Sequence, residues 1–114
     1  MSENRNRVKR HALLGKLKPE MIEEYCELHA HPWPGVLKAI RDSHIENYSI
    51  WLHGDLVFSY FEYTGDDYEA DMARQAQDPE MQRWWTRTHP CFVTYAIEPD
   101  CEFTPDIKEV FYCK

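Results

Sequence analysis

Apolar and polar positions along this chain switch between a period of two and a helical period, and the switches outline its elements. Residues Val8 to Leu17 (VKRHALLGKL), apolar on both sides near their middle, predict a first strand. Lys18-Pro19-Glu20 predicts a helix start. Proline fits the first turn, and the acidic run Glu20, Glu23 and Glu24 suits the positive end of a helix dipole. Met21, Ile22, Tyr25 and Leu28 follow at helical spacing. Pro32 and Pro34 interrupt the pattern, which resumes over Gly35 to Ser43 with Val36, Leu37 and Ile40 as its apolar stripe. The β-rich stretch Asn47 to Leu52 and the stretch Leu56 to Tyr63 (LVFSYFEY) flank the turn signal His53-Gly54-Asp55 and predict a hairpin. Gly65-Asp66-Asp67 ends the second of these strands, and either aspartate can cap a helix over Tyr68 to Gln77. Asp78-Pro79-Glu80 predicts another helical start, with Asp78 as N-cap. That helix carries Met81, Trp84 and Trp85 towards Thr88-His89-Pro90. Cys91 to Asp106 lacks a clear period, holds two prolines and reads as a long loop. Ile107 to Tyr112 (IKEVFY) predicts a last strand.

The order strand, helix, hairpin, helix, strand is that of an α+β fold, the ferredoxin-like β-α-β-β-α-β arrangement, with helices on one face of an antiparallel sheet. The other face also needs cover. Trp51, Phe58, Tyr60 and Phe61 lie on its strands, and alternate ones must point away from the helices. Packing two such sheets face to face in a dimer is the simplest cover.

The chain has 114 residues, enough for one core and one domain. Residues 1–6 read as a flexible N-terminus and 7–114 as the single domain. Hydrophobic residues at 43% and charged residues at 29% are ordinary globular values and argue against wholesale disorder. The net charge of −7 argues against a nucleic-acid partner, which calls for a basic face, and against an anionic membrane surface. No apolar stretch approaches the roughly 20 residues of a membrane span, and the polar N-terminus lacks the apolar run of a secretory signal. Cys26, Cys91, Cys101 and Cys113 show no C-x-x-C spacing and read as free thiols of a cytoplasmic protein. A zinc site on Cys101, Cys113 and a histidine would lack the usual ligand spacing.

The most unusual stretch runs from Tyr25 to Pro34. Tyr25 and His29 are four apart and share one helix face. A histidine beside a tyrosine hydroxyl can move a proton near neutral pH. A core tyrosine and a polar helix-end histidine are the alternative. His29 and His31 are two apart, a spacing that converges on a metal only in a strand, and this segment does not read as one. Trp84 and Trp85 differ by about 100° around a helix, so one can pack inward while the other lines a cleft. An indole offers a platform for the apolar face of a sugar. Both tryptophans as core or dimer-interface residues is the alternative. Tyr48, on a strand, points to a pocket or to the core. No phosphate-binding glycine loop, G-x-S-x-G elbow or dinucleotide fingerprint occurs, which disfavours phosphotransfer, serine-hydrolase and dinucleotide chemistry.

Glu23 to Pro34 (E-E-Y-x-x-x-H-x-x-x-W-P), Asn47 to Ile50 (N-Y-S-I), Arg83 to Trp85 (R-W-W) and Glu109 to Tyr112 (E-V-F-Y) together resemble the L-rhamnose mutarotase family. The likeness runs from about Lys9 to Tyr112 in one order and at similar spacing. It implies a dimeric α/β barrel of ferredoxin-like subunits. It also implies cofactor-free interconversion of the α and β anomers of a 6-deoxyhexose pyranose, L-rhamnose or L-fucose. By position in the motif, His29 resembles the family's catalytic acid. Tyr25 and Tyr48 resemble sugar-contacting tyrosines, and Trp84 and Trp85 the tryptophan pair at the substrate. The chain departs from the family at His31-Pro32, where an Asn-Pro pair often stands one residue earlier. It departs again at Ser43-His44, which replaces a common glycine, and across Cys91 to Asp106. The implied partners are a monosaccharide and a second copy of the chain, with no cofactor, metal, nucleic acid or membrane. Competing readings are a non-catalytic sugar- or small-ligand-binding dimer and a ferredoxin-like monooxygenase. The first would have no need of His29. The second would have no need of the Tyr25–His29 pair or of paired tryptophans.

Overall fold

Strand alternation sorts the side chains of this protein into two faces. In the structure, a computed structural model describing residues 8–93, 103 and 106–114, β1 (Lys9–Leu17) pairs antiparallel with β3 (Leu56–Tyr63), Leu13 lying opposite Ser59. β2 (Ile45–His53) takes the other edge of β3, and β4 (Phe92–Val93) the other edge of β1, for a sheet order of β2-β3-β1-β4. Leu17, Val57, Phe61 and Tyr63 point to one face and are buried; Trp51 and Phe58 point to the other and are exposed. A slip of one residue between β1 and β3 would expose Leu17 and Val57, each worth about 1.5–3 kcal/mol of burial, so the register is firmly set.

Among the described residues four α-helices cover the buried face: α1 (Ile22–Ala30), α2 (Pro34–Asp42), α3 (Tyr68–Ala76) and α4 (Pro79–Thr88). A 3-10 turn, Pro19–Met21, leads into α1. Local chemistry sets the boundaries. Pro34 occupies the first turn of α2, as Pro79 does in α4. Asp67 caps α3 by accepting from the Ala70 amide at 3.1 Å, and Asp78 caps α4 by accepting from the Met81 amide at 2.9 Å. The hairpin turns at Gly54, whose φ of 62° favours a residue without Cβ. The α+β class, the hairpin and the helical starts are as expected from the sequence.

The fourth strand is not. Ile107 to Tyr112 forms no strand, and β4 lies at Phe92–Val93, inside the stretch expected to be a loop. The remainder of that stretch, 94–102 and 104–105, lies outside the described residues, as does the N-terminal segment 1–6. The free edge of β1 is shared. Phe92–Val93 pairs with Lys16 and Leu17, Phe103 bridges to Gly15, and the Ile107 amide donates to the Ala12 carbonyl at 2.7 Å. Around Ile107 the side chains take over. Asp106 bonds His11 at 2.8 Å, Glu109 grips Arg10 through both carboxylate oxygens, and the Tyr112 ring lies 3.7 Å from the Arg10 guanidinium carbon. Alternating composition makes a ladder only where a free edge runs alongside it.

Two buried clusters form the core among the described residues. Leu17, Tyr25, Val57, Cys91 and Phe92 pack between the sheet and α1; Leu28, Val36, Ala39, Met81 and Trp84 pack among α1, α2 and α4.

Candidate functional site

α1 belongs to both clusters, and its Tyr25–His29 face looks into the space between them. Tyr25 and His29 lie one turn apart in tilted ring contact, with centroids 4.2 Å from each other. His29 Nδ1 lies 2.8 Å from the Tyr25 backbone carbonyl oxygen. A carbonyl only accepts, so Nδ1 carries a proton and donates it, and Nε2 is the nitrogen left for exchange. The His29 ring meets Trp84 edge-on at 5.2 Å, and Trp33 braces Trp84 at the same distance.

The neighbouring tryptophans separate as their helical angle dictates. Trp84 is 6% exposed within the second cluster. Trp85 is half-buried and lies parallel to His89 at 6.0 Å.

Tyr48 reaches the same space through a fault in β2. Ile45 and Tyr48 are three apart and would face opposite sides of a regular strand. The register shifts between Glu46 and Ser49, and Asn47 adopts a left-handed φ of 51°. The Asn47 amide donates to Glu62 on the outer face at 2.8 Å. The extra residue brings both Ile45 and Tyr48 to the helix side. Tyr48 packs on Phe61 at 5.5 Å and stays 41% exposed.

Tyr25, His29, Tyr48, Trp84 and Trp85 all line one cavity of about 700 Å³. Val36, Ile40, Ile45 and Met81 supply much of its apolar wall, and Arg41, Glu46, Asn47 and Thr88 its polar groups. Thr88 and Phe103 went unnoticed in the sequence. Thr88 completes the spacing Met81, Trp84, Trp85, Thr88 on one helix face, a signal that was readable. Phe103 carried no such signal, since it reaches the cavity through its bridge to β1. His31 is not part of the lining; it faces Glu27 on the surface at 3.4 Å. Among the described residues no group of three or more His, Cys, Asp or Glu side chains is placed to hold a metal ion, and Cys26 and Cys113 are exposed free thiols.

A polar network outside the cavity braces the turn that leads into β2. Buried Asp71 on α3 accepts from the Tyr63 hydroxyl, from His44 Nδ1 at 3.0 Å and from Arg74 at 2.6 Å. These bonds, that of Tyr63 foremost, hold the Asp71 carboxyl at about 2. Burial, helped by the same carboxylate, pushes Tyr63 up to about 12. Gly65 passes so close that a Cβ there would fall 2.8 Å from the Asp71 carboxylate.

The sequence model of the L-rhamnose mutarotases matches residues 10–113. An L-rhamnose mutarotase of Lactiplantibacillus plantarum is 31% identical over 96 residues, covering 84% of this chain and 89% of that protein. One from Opitutus terrae is 33% identical over 92 residues, covering 78% and 83%. The fold resembles the crystal structure of an L-rhamnose mutarotase from Formosa agariphila, with a TM-score of 0.71 at 23% identity over 93% of this chain and 99% of that one. It also resembles tetracenomycin F2 cyclase from Streptomyces glaucescens, with a TM-score of 0.62 at 16% identity over 93% and 96%. At such identities the two structures speak for the fold alone, whereas the match along almost the whole sequence speaks for descent: the chain belongs to the L-rhamnose mutarotase family.

Proposed function

We propose that this protein is a cofactor-independent isomerase that interconverts the α and β anomers of L-rhamnose, with His29 as its acid–base group. The observation that carries the reading is the convergence of Tyr25, His29, Tyr48, Trp84 and Trp85 on one cavity from three separate elements. Ring opening needs a proton on the pyranose ring oxygen and loss of one from the anomeric hydroxyl. His29 Nε2 delivers the first proton, the bond from C1 to the ring oxygen breaks, and a carbonyl forms at C1 as the anomeric hydroxyl gives up its proton to water. Rotation about the C1–C2 bond presents the other carbonyl face. The C5 hydroxyl then attacks it and returns its proton to Nε2, while the carbonyl oxygen takes a proton from water and becomes the anomeric hydroxyl again. The Nδ1 bond to the Tyr25 carbonyl supports this role, because it keeps the ring oriented with Nε2 free to exchange. The indoles offer the apolar C–H face of the sugar a platform, and the tyrosine hydroxyls are suited to fixing its hydroxyl groups. No redox change occurs, so the chemistry calls for neither nucleotide nor metal.

The working unit is the domain of residues 7–114, acting as a homodimer in the cytoplasm. Trp51 and Phe58, paired across β2 and β3 on the uncovered face, support the dimer. Among the described residues no helix is long and apolar enough to cross a membrane.

Saturation-transfer NMR on free L-rhamnose tests the activity. The wild type should exchange anomers faster than the spontaneous background. His29→Ala should slow the catalysed rate by about 10²–10⁴-fold while sugar binding survives. A folded His29→Ala protein as fast as the wild type would remove His29 from the mechanism. Binding without any exchange above background in the wild type would mark a non-catalytic sugar-binding protein.

A further inference from the structure

We infer that Val36 on α2 and Met81 on α4 form the subsite for the methyl group on C5 of the sugar, and so set a preference for 6-deoxy over 6-hydroxy hexoses. The inference rests on the mutarotase reading above. His29 must reach the pyranose ring oxygen. C5 is bonded directly to the ring oxygen, so C6 stands beside the atom being protonated. A sugar placed for chemistry at His29 therefore has C6 against the cavity wall nearest that ring. His29 touches Trp84 edge to face at 5.2 Å, and Trp84 belongs to one buried cluster with Val36 and Met81. All four side chains line the cavity.

The chemistry of this wall is one-sided. Val36 and Met81 are 2% and 5% exposed. Valine has no polar atom, and the methionine thioether is only a weak acceptor. A methyl group pressed against them leaves water at no polar cost. A C6 hydroxyl in the same place would lose its water and find no good partner. The cavity's charged side chains, Arg41 and Glu46, belong to the end of α2 and the start of β2, apart from this cluster.

L-mannose differs from L-rhamnose only by that hydroxyl, so the pair isolates the subsite. Anomer exchange should be measured for both sugars with the wild type, Val36→Thr and Met81→Gln, each of which keeps the side chain's approximate size while adding a hydrogen-bonding group. Thermal melting of each variant checks its fold. In the wild type, kcat/KM should favour L-rhamnose by about 10–100-fold, the range over which an apolar pocket discriminates. At least one folded variant should narrow that ratio several-fold, mainly by gaining on L-mannose. A wild-type ratio near one, or folded variants that keep the wild-type ratio, would overturn the subsite while leaving the mutarotase reading intact. Failure of the wild type to accelerate L-rhamnose exchange would overturn both. Should neither variant fold, the wild-type ratio decides alone.

Discussion

Trp84 and Trp85 are neighbours in sequence with different duties, and the difference can be measured. Trp84 fills the centre of a buried cluster, so Trp84→Ala should cost about 3–5 kcal/mol of stability in urea unfolding. Trp85 is half-buried at the cavity wall. Trp85→Ala should leave stability much closer to the wild type and weaken L-rhamnose binding by roughly tenfold, a loss of about 1.4 kcal/mol. The opposite pattern would exchange their assignments. Asp71 gives a second residue-scale prediction. Its carboxyl is held at about 2, below the ordinary 3.8, so folding favours the charged form. A group lowered in this way stabilises the fold above its ordinary value and loses that stabilisation as pH falls through the folded value. Melting temperatures of the wild type should therefore drop between about pH 4 and pH 2. Asp71→Asn should start lower at neutral pH and converge with the wild type in acid. Parallel curves would show that Asp71 is not linked to acid unfolding.

Among the elements, β2 matters most for its irregularity. The bulge at Asn47 puts Ile45 and Tyr48 on one side, where a regular strand would separate them. Deleting Asn47 should leave the hairpin's β content by circular dichroism and remove Tyr48 from the cavity. Losing one aromatic contact of about 1 kcal/mol should weaken sugar binding roughly fivefold. Undiminished binding in the folded deletion would free Tyr48 of its proposed role. The helix starts obey simpler rules. Asp78 serves as N-cap to α4, and Asp78→Ala should cost about 1 kcal/mol, read in the same urea experiment.

At the scale of the molecule, the sheet face away from the helices carries Trp51 at 66% exposure and Phe58 at 40%, side by side. Val110 and Phe111 on the C-terminal segment are exposed as well. The paired Trp51 and Phe58 support the proposed dimer. Trp51→Glu with Phe58→Glu should convert the proposed dimer to monomer in sedimentation equilibrium. A wild type that is already monomeric at micromolar concentration would remove the dimer.

Features that depend on neighbours within one or two turns of chain are legible in the sequence. The caps at Asp67 and Asp78, the proline starts at Pro34 and Pro79, the hairpin at Gly54 and the Tyr25–His29 face follow from local sterics and hydrogen bonding. Those rules act before the chain is compact, so they were legible. The spacing of Met81, Trp84 and Trp85 was legible for the same reason. Which segment completes the sheet depends on contacts between distant parts of the chain. Ile107–Tyr112 has the better strand composition, yet Phe92–Val93 takes the ladder at Lys16 and Leu17. A strand needs a free edge of matching length, and that edge belongs to a distant part of the chain. Phe103 joins the cavity for the same non-local reason. Likewise, motif spacing put Tyr25, His29, Tyr48, Trp84 and Trp85 on separate elements; one cavity arises only where α1, α2, α4 and the bulged β2 pack together, because packing sets distances that sequence separation does not encode.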